Sequence, residues 1–251
     1  MPTFLIDGFN LTFRSYYGMP ELTRADGFPT NAIHGWVRTL WKLIDNEKPD
    51  KIICFFDLGG SRRHLELLPE YKANRGATPD DLIPQIPWIK RLTEAMGIQV
   101  AESEGIEADD LIAATAKHLS EQGDQVIIVS ADKDFAQCVC DTVSQLLPPP
   151  TANPRLGWRH RNTQAVLDKF GVTPEQIPDY LALVGDVSDN ILGLEGVGPK
   201  TASKWLKEYK NLEGVIATAH EIKPPRFREK ILEAQERLRL NLKLVTFDLN
   251  H

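Results

Sequence analysis

Nine carboxylates stand at points of the sequence where folding could bring them together. Some follow apolar runs typical of buried strands, and the others are closely spaced with one another. The nine are Asp7, Asp57, Glu107, Asp109, Asp110, Asp132, Asp134, Asp186 and Asp189. Like charges at close range raise one another's pKa, so a converged set stays ionised only when cations lie among its members.

The type of donor indicates which cation such a cluster would hold. No His or Cys belongs to the set, and oxygen donors alone favour Mg²⁺ or Mn²⁺ over zinc. Two such ions roughly 4 Å apart can hold both the attacking and the leaving oxygen of a phosphodiester. One ion lowers the pKa of a bound water molecule, and the other supports the departing 3′ oxygen. The set therefore predicts phosphodiester hydrolysis without a protein nucleophile.

The elements that must position these acids follow from the hydrophobic pattern of the first half. Short apolar runs alternate there with amphipathic segments, which predicts an α/β fold with a mostly parallel central sheet flanked by helices. The predicted strands are Thr3–Ile6, Lys51–Phe56, Ile98–Ala101, Gln125–Val129 and Thr142–Leu147. Carboxyl ends of parallel strands lie at one edge of a sheet. We therefore expect Asp7, Asp57 and Asp132 to meet at that edge.

The second half is expected to be helical. A proline-rich connector spans Pro148–Trp158, and no further strand is predicted beyond it. Helices are predicted at Thr163–Phe170, Pro174–Leu183, Pro199–Tyr209, Leu212–Thr218 and Arg226–Leu240. The expected division is an α/β metal-binding core over residues 1–160 and a helical DNA-binding region over residues 161–251.

Two segments could hold a phosphate backbone. Residues 186–210 contain a GVGPKTA stretch typical of a helix-hairpin-helix, in which glycines expose backbone N–H groups to a phosphate. The second segment is basic and includes Lys72 and Arg75, which we expect in a mobile flap above the acids. Thr78 is the expected N-cap of a helix that Pro84 and Pro87 should break or kink. Arg14 could reach a phosphate as well.

The net charge of the chain fits a polyanionic substrate when the nine carboxylates are left out of the count. The chain has 29 Lys and Arg against 35 Asp and Glu, a net charge of −6. Without the nine carboxylates the balance is 26 acidic to 29 basic residues, or +3. No apolar run approaches the ~20 residues needed to span a bilayer. We expect a cytoplasmic protein, with reduced cysteines and no membrane partner.

Seven motifs, taken in order, resemble the 5′ nuclease family of flap endonucleases, and most closely the 5′-nuclease domain of bacterial DNA polymerase I and its stand-alone homologues. The resemblance covers nearly all of the chain. The motifs are Asp7-Gly8…Arg14, Phe56-Asp57, Tyr71-Lys72-x-x-Arg75, Glu107-Ala108-Asp109-Asp110, Ala131-Asp132-Lys133-Asp134, Gly185-Asp186-x-Ser188-Asp189-Asn190 and Gly196-Val197-Gly198-x-Lys200-Thr201-Ala202.

The resemblance implies a divalent-metal-dependent 5′-3′ exonuclease or flap endonuclease that acts on DNA with 5′ ends, overhangs or flaps and leaves 5′-phosphates. It implies a PIN-like core, an arch near residues 62–90, metal ligation by all nine acids, and catalytic roles for Lys72 and Arg75. It also implies a potassium ion near Val197, and we expect a monomer. The expected DNA-binding residues are Arg14, Tyr71, Gly196, Val197, Gly198, Lys200, Thr201 and Lys204.

Two other functions stay open at this point. A branched-DNA binding module would bind junctions without hydrolysis, and the complete acid set disfavours it. A ribonuclease of the PIN class shares an acid-rimmed α/β core, but the Gly196–Ala202 hairpin suits a duplex backbone. Phe9-Asn10 departs from the small polar residues usual in the family after Asp7-Gly8, and we expect this departure to change the contacts to a threaded strand.

Overall fold

A six-stranded sheet forms the centre of the computed structural model, which describes residues 2–251. The strands are β1 Thr3–Asp7, β2 Lys51–Phe55, β3 Gln99–Ala101, β4 Val126–Val129, β5 Val143–Leu147 and β6 Arg159–Arg161. Their order across the sheet is β3-β2-β1-β4-β5-β6, and every neighbouring pair is parallel except β5 with β6. The five predicted strands and the mostly parallel sheet are confirmed.

The prediction that strands end at the proline-rich connector is wrong. Strand β6 pairs antiparallel with β5 at the sheet edge, with His160 opposite Leu146. Its sequence, Arg-His-Arg, has no apolar alternation because only one of its three side chains, that of Arg161, is buried. A further two-stranded ribbon joins β7 (Gly185–Asp186) to β8 (Ile191–Leu192).

Helices cover both faces of the sheet because alternate side chains of each strand point to opposite faces. Phe4 and Ile6 of β1 pack with Trp36 on one side, whereas Leu5 packs with Ile112 on the other. The helices are α1 Gly8–Gly18, α2 Asn31–Glu47, α3 Arg62–Leu67, α4 Ile86–Ala95, α5 Ala108–Glu121, α6 Thr163–Phe170, α7 Ile177–Val184, α8 Pro199–Tyr209, α9 Leu212–Ala217 and α10 Arg226–Val245.

The segment between α3 and α4 differs from its prediction. Thr78 caps no helix, because a turn follows in which Leu82 N–H donates to the Pro79 carbonyl at 2.9 Å. Helix α4 begins at Ile86 with Pro87 in its first turn, where a missing N–H costs no intrahelical hydrogen bond. Pro87 therefore helps to start this helix instead of breaking it.

Helices α7 to α10 surround a second apolar core that includes Trp205, Leu206, Ile231 and Leu238. The C-terminal end of α10 reaches back to α3, where Arg63 donates to the carbonyl groups of Lys243 and Thr246. Among residues 2–251, no helix combines the length and apolar character that crossing a membrane requires.

Candidate metal centre and nucleic-acid interface

The carboxyl ends of β1, β2 and β4 deliver three acids to one edge of the sheet, as predicted. Asp7 ends β1 and caps α1, accepting a hydrogen bond from Asn10 N at 3.0 Å. Asp57 follows β2 and accepts from Ala108 N at 2.7 Å, so it also fixes the start of α5. These acids line a cleft of about 360 Å³ together with Asp109 and Asp132.

A second group of acids is formed by Asp134, Asp186 and Asp189. One carboxylate oxygen from each lies within 4.8 Å of the others. Asp132 Oδ1 accepts a hydrogen bond from the backbone N–H of Asp134 at 2.9 Å, so the two groups of acids are close neighbours. The second group joins the short helical turn after β4 to the end of β7 and the loop that follows it.

Glu107 is placed between these groups by its position just before α5. Its backbone is extended as the N-cap of that helix. The Tyr71 hydroxyl lies 3.2 Å from Glu107 Oε2 and 3.1 Å from Asp189 Oδ2. The side chain of Tyr71 is 8% exposed, so the expectation that it contacts DNA does not fit its buried position. Its hydroxyl instead bridges two of the acids.

Asp110 points away from both groups. Its Oδ1 accepts a hydrogen bond from the backbone N–H of Asp248 at 2.9 Å, and its side chain is buried. It lines neither the cleft nor the three-acid group. The physical reason is the start of α5: with Glu107 at the N-cap, consecutive residues project about 100° apart around the helix, so Asp109 and Asp110 diverge. Asp110 therefore anchors the C-terminal segment.

Burial makes this site costly for uncompensated negative charge. It raises the pKa of Asp7 to about 7, and the neighbouring Asp132 and Asp57 act in the same direction. Burial and adjacent carboxylates likewise raise the pKa of Asp57, Asp109, Asp132 and Asp134. Burial also disfavours ionisation of Asp186, but hydrogen bonds from Lys133 and Ser188 hold its pKa below the usual value.

The donor set fits a hard divalent cation. Asp134 Oδ1 is buried and has no hydrogen-bond partner among the described residues, although it belongs to the three-acid group. A buried carboxylate oxygen without a hydrogen-bond donor requires compensation, and the nearest cationic atom, Lys133 Nζ, lies 3.8 Å away. The other members of the group are carboxylates, with no His or Cys among them. Oxygen-only donors suit Mg²⁺, Mn²⁺ or a related ion.

Basic side chains reach the acids from three segments. Lys72 Nζ lies 2.7 Å from Glu107 Oε1, and Arg75 Nη2 lies 2.6 Å from Asp189 Oδ1. Lys133 Nζ lies 2.6 Å from Asp186 Oδ2. Arg14 lines the cleft together with Lys72 and Arg75. Lys133 was not among the predicted site residues, and its position between Asp132 and Asp134 was the one signal for it.

The predicted phosphate-binding hairpin lies next to the three-acid group along the chain. Gly196 has φ +80°, a conformation that favours glycine, and Gly198 is the N-cap of α8. Lys200 and Lys204 are exposed one turn apart, and Thr201 is half-buried between them. The side chain of Val197 is buried, so this residue can offer only its backbone to a ligand.

Comparison with known proteins gives matches over nearly the whole chain. The family model described as "5′-3′ exonuclease, N-terminal resolvase-like domain" matches residues 2–171, and "5′-3′ exonuclease, C-terminal SAM fold" matches residues 172–251. A 5′-3′ exonuclease of Aquifex aeolicus is 40% identical over 242 residues, covering 96% of this chain and 80% of the relative. DNA polymerase I of Mycobacterium tuberculosis is 40% identical over 214 residues, which are 84% of this chain but only 23% of the polymerase.

A solved structure agrees over nearly the same length. A bacteriophage T5 flap endonuclease in a complex with DNA and metal ions superposes with a TM-score of 0.79 and 26% identity, covering 98% of this chain and 89% of the phage protein. The family matches, the identity to a stand-alone exonuclease and this superposition all extend across both the sheet and the helical part. The chain therefore belongs to the 5′-3′ exonuclease family.

Proposed function

We propose that this protein is a structure-selective 5′ nuclease that hydrolyses DNA phosphodiester bonds at 5′ ends, overhangs and flaps, leaving 5′-phosphates. The observation that carries the proposal is the convergence of Asp7, Asp57, Asp109 and Asp132 in one cleft beside the three-acid group. Its relatives include a 5′-3′ exonuclease and a flap endonuclease bound to DNA and metal ions.

Two Mg²⁺ or Mn²⁺ ions, when bound, would supply an activated water molecule and charge stabilisation at the leaving 3′ oxygen. Asp7, Asp57, Asp109 and Asp132 would hold the cation on the sheet side. Asp134, Asp186 and Asp189 would hold the other, with Glu107 between the two groups. Among the nine predicted ligands, Asp110 would act only indirectly, through the C-terminal segment.

The basic side chains would orient the substrate in this proposal. Lys72 and Arg75 line the cleft and carry charges that match the scissile phosphate. Arg14 also lines the cleft and would hold a neighbouring phosphate. Each of these groups acts by positioning and by stabilising negative charge, and none takes or gives a proton.

The duplex would be held away from the cleft by the hairpin. Backbone N–H groups at Gly196 and Gly198 and the side chains of Lys200, Thr201 and Lys204 would contact phosphates of one strand. The Val197 N–H already donates to the Leu194 carbonyl at 3.0 Å, so Val197 would contribute only its carbonyl group. Such contacts read no base sequence, which suits an enzyme that selects for structure. A potassium ion near Val197 stays a prediction of the family resemblance.

The proposed organisation keeps an α/β metal-binding core over residues 1–160 and a helical DNA-binding region over residues 161–251. The segment proposed as the arch, residues 62–90, contains Lys72 and Arg75, and both side chains lie against the acids. We also propose that the protein is a monomer and that it acts in the cytoplasm.

The decisive experiment measures cleavage of a 5′-labelled flap duplex and of its matched RNA-flap version, with Mg²⁺, with Mn²⁺ and with EDTA. Ion-dependent cleavage of the DNA flap with 5′-phosphate products is the expected result. Junction binding without hydrolysis under every ion would leave only a binding module, and preference for the RNA flap would indicate a ribonuclease.

A further inference from the structure

Three buried polar residues behind the acid cleft form a connected chain that the proposed reaction does not use. Arg161 is 7% exposed, and Gln145 and Ser130 are fully buried. Arg161 Nη1 donates to Gln145 Oε1 at 2.7 Å. Gln145 Nε2 donates to the Ser130 carbonyl at 2.9 Å and also to the Asp132 carbonyl. The chain therefore runs from the last strand of the sheet to the loop that carries Asp132.

Ser130 extends this chain to a second acid. Its hydroxyl donates to Asp7 Oδ2 at 2.7 Å and accepts from the backbone N–H of Asp132 at 3.0 Å. Asp7 and Asp132 come from the neighbouring parallel strands β1 and β4. A single hydroxyl therefore sets the spacing between acids that two different strands deliver.

The hydrogen-bond donors and acceptors of these residues allow only one orientation of the Gln145 side-chain amide. A guanidinium has donors and no acceptor, so it must meet the carbonyl oxygen of Gln145 and not its amide nitrogen. This contact turns the two amide N–H groups toward the two backbone carbonyls, of which that of Ser130 is buried and needs a donor. Arg161 thus fixes the orientation of Gln145, and Gln145 fixes the loop from Ser130 to Asp132.

Other groups near Arg161 affect the positive charge of its buried guanidinium. Its guanidinium lies 5.5 Å from the centre of the Phe170 ring, which offers a cation–π contact. Burial and the neighbouring Arg159 lower the pKa of Arg161, and the negative charge of Asp132 opposes them. Among the described side-chain contacts of Arg161, the hydrogen bond to Gln145 is the one that connects it to the loop from Ser130 to Asp132.

We propose that Arg161 and Gln145 are positioning residues that hold Asp7 and Asp132, through Ser130, at the separation needed for divalent-ion binding. The proposal rests on the proposed nuclease function, because it concerns the acids of that site. Partners that orient metal ligands typically change metal affinity or activity by about 10- to 100-fold when they are removed.

Gln145→Glu separates positioning from simple packing. A carboxylate of the same shape can still pair with Arg161, but it cannot donate to the Ser130 and Asp132 carbonyls. The expected result is a fall in kcat and in Mn²⁺ affinity of about 10-fold or more, with KM for the flap duplex nearly unchanged. Mn²⁺ affinity is measured by electron paramagnetic resonance without DNA, so it does not depend on cleavage.

Arg161 is tested with a conservative pair. Arg161→Lys keeps a donor for Gln145 Oε1 and should retain most of kcat, whereas Arg161→Met frees the amide and should lower kcat as Gln145→Glu does. Thr93→Val is the matched control: it removes the buried acceptor of the Trp36 indole N–H, 2.9 Å away. Neither residue lines the cleft or belongs to the three-acid group. It should lower Tm without changing kcat or Mn²⁺ affinity.

The possible outcomes are distinct. Wild-type kcat and Mn²⁺ affinity in Gln145→Glu would overturn the positioning role. Equal loss in Arg161→Lys and Arg161→Met would also overturn it, because a retained donor would then make no difference and packing alone would explain the effect. A wild-type protein that cleaves no substrate would instead remove the proposed function, and Mn²⁺ binding would still test the positioning of the acids.

Discussion

The ammonium group of Lys72 lies 2.7 Å from Glu107 Oε1, so a residue proposed to contact the substrate is held by one of the site's own acids. Arg75 makes the corresponding contact with Asp189 at 2.6 Å. Both acids belong to the set that would bind divalent cations. The basic segment therefore competes with metal ions for the same carboxylate oxygens, and ion binding would free these side chains for a phosphate.

Lys72→Ala should consequently slow cleavage and strengthen divalent-ion binding. Loss of a phosphate contact is expected to reduce the single-turnover rate by about 100-fold, a typical cost of removing one charge-stabilising group. Removal of the competing ammonium should lower the Mn²⁺ dissociation constant measured without DNA. Lys117→Ala removes the same charge from an exposed site on α5 and should change neither value. Weaker Mn²⁺ binding in Lys72→Ala would contradict the competition.

Asp132→Asn should abolish most cleavage while sparing DNA binding. The substitution keeps the size of a side chain that lines the cleft and caps the following turn, but removes a negative ligand. The rate should fall by about 100-fold or more, and the affinity for a flap duplex in EDTA should be equal or higher because repulsion of phosphates decreases. Gel-shift titration and single-turnover cleavage measure the two quantities. A parallel loss of DNA affinity would argue for misfolding.

The metal-free protein should lose the stabilisation associated with Asp7 as pH rises. The pKa of this carboxyl is about 7 in the folded chain, against an ordinary value of 3.8. The folded state therefore binds the proton more tightly, and the contribution is complete below about pH 4 and lost as pH rises through about 7.

Asp7→Asn isolates this effect from the other titrating groups. The Tm of the variant relative to wild type, in EDTA, should increase between about pH 5 and pH 8, since the amide has no proton to lose. Mg²⁺ should raise the Tm of wild type more at pH 8 than at pH 5 and should have less effect on the variant. A difference in Tm that stays constant with pH would disprove the assignment to Asp7.

Lys204→Ala should weaken DNA binding without altering the chemical step. Lys204 is exposed on α8, one turn after Lys200. Loss of one phosphate contact should reduce the slope of log affinity against log salt concentration by about 1. The single-turnover rate at saturating DNA should match wild type. An unchanged salt slope would place the duplex on another surface.

Much of the fold follows from local patterns. The apolar runs at Thr3–Ile6 and Gln125–Val129 predict strands β1 and β4 nearly to the residue. Helices α6 and α8 also agree with their predicted bounds, because each has a clear start, Asn162 as the N-cap of α6 and Pro199 in the first turn of α8. Strand β6 was missed because a short polar edge strand has no periodicity of its own and exists only through its pairing with β5.

Local sequence patterns are sufficient to show that acids follow buried strands. Because these strands are parallel, their shared direction places Asp7, Asp57 and Asp132 at one edge of the sheet. The directions of the other side chains at the site depend on how distant segments pack together. Asp109 enters the cleft while Asp110 turns to the C-terminal segment, and Tyr71 is buried between two acids. These outcomes depend on where a helix starts and on which distant group offers a donor, and neither is encoded in the spacing of nearby residues.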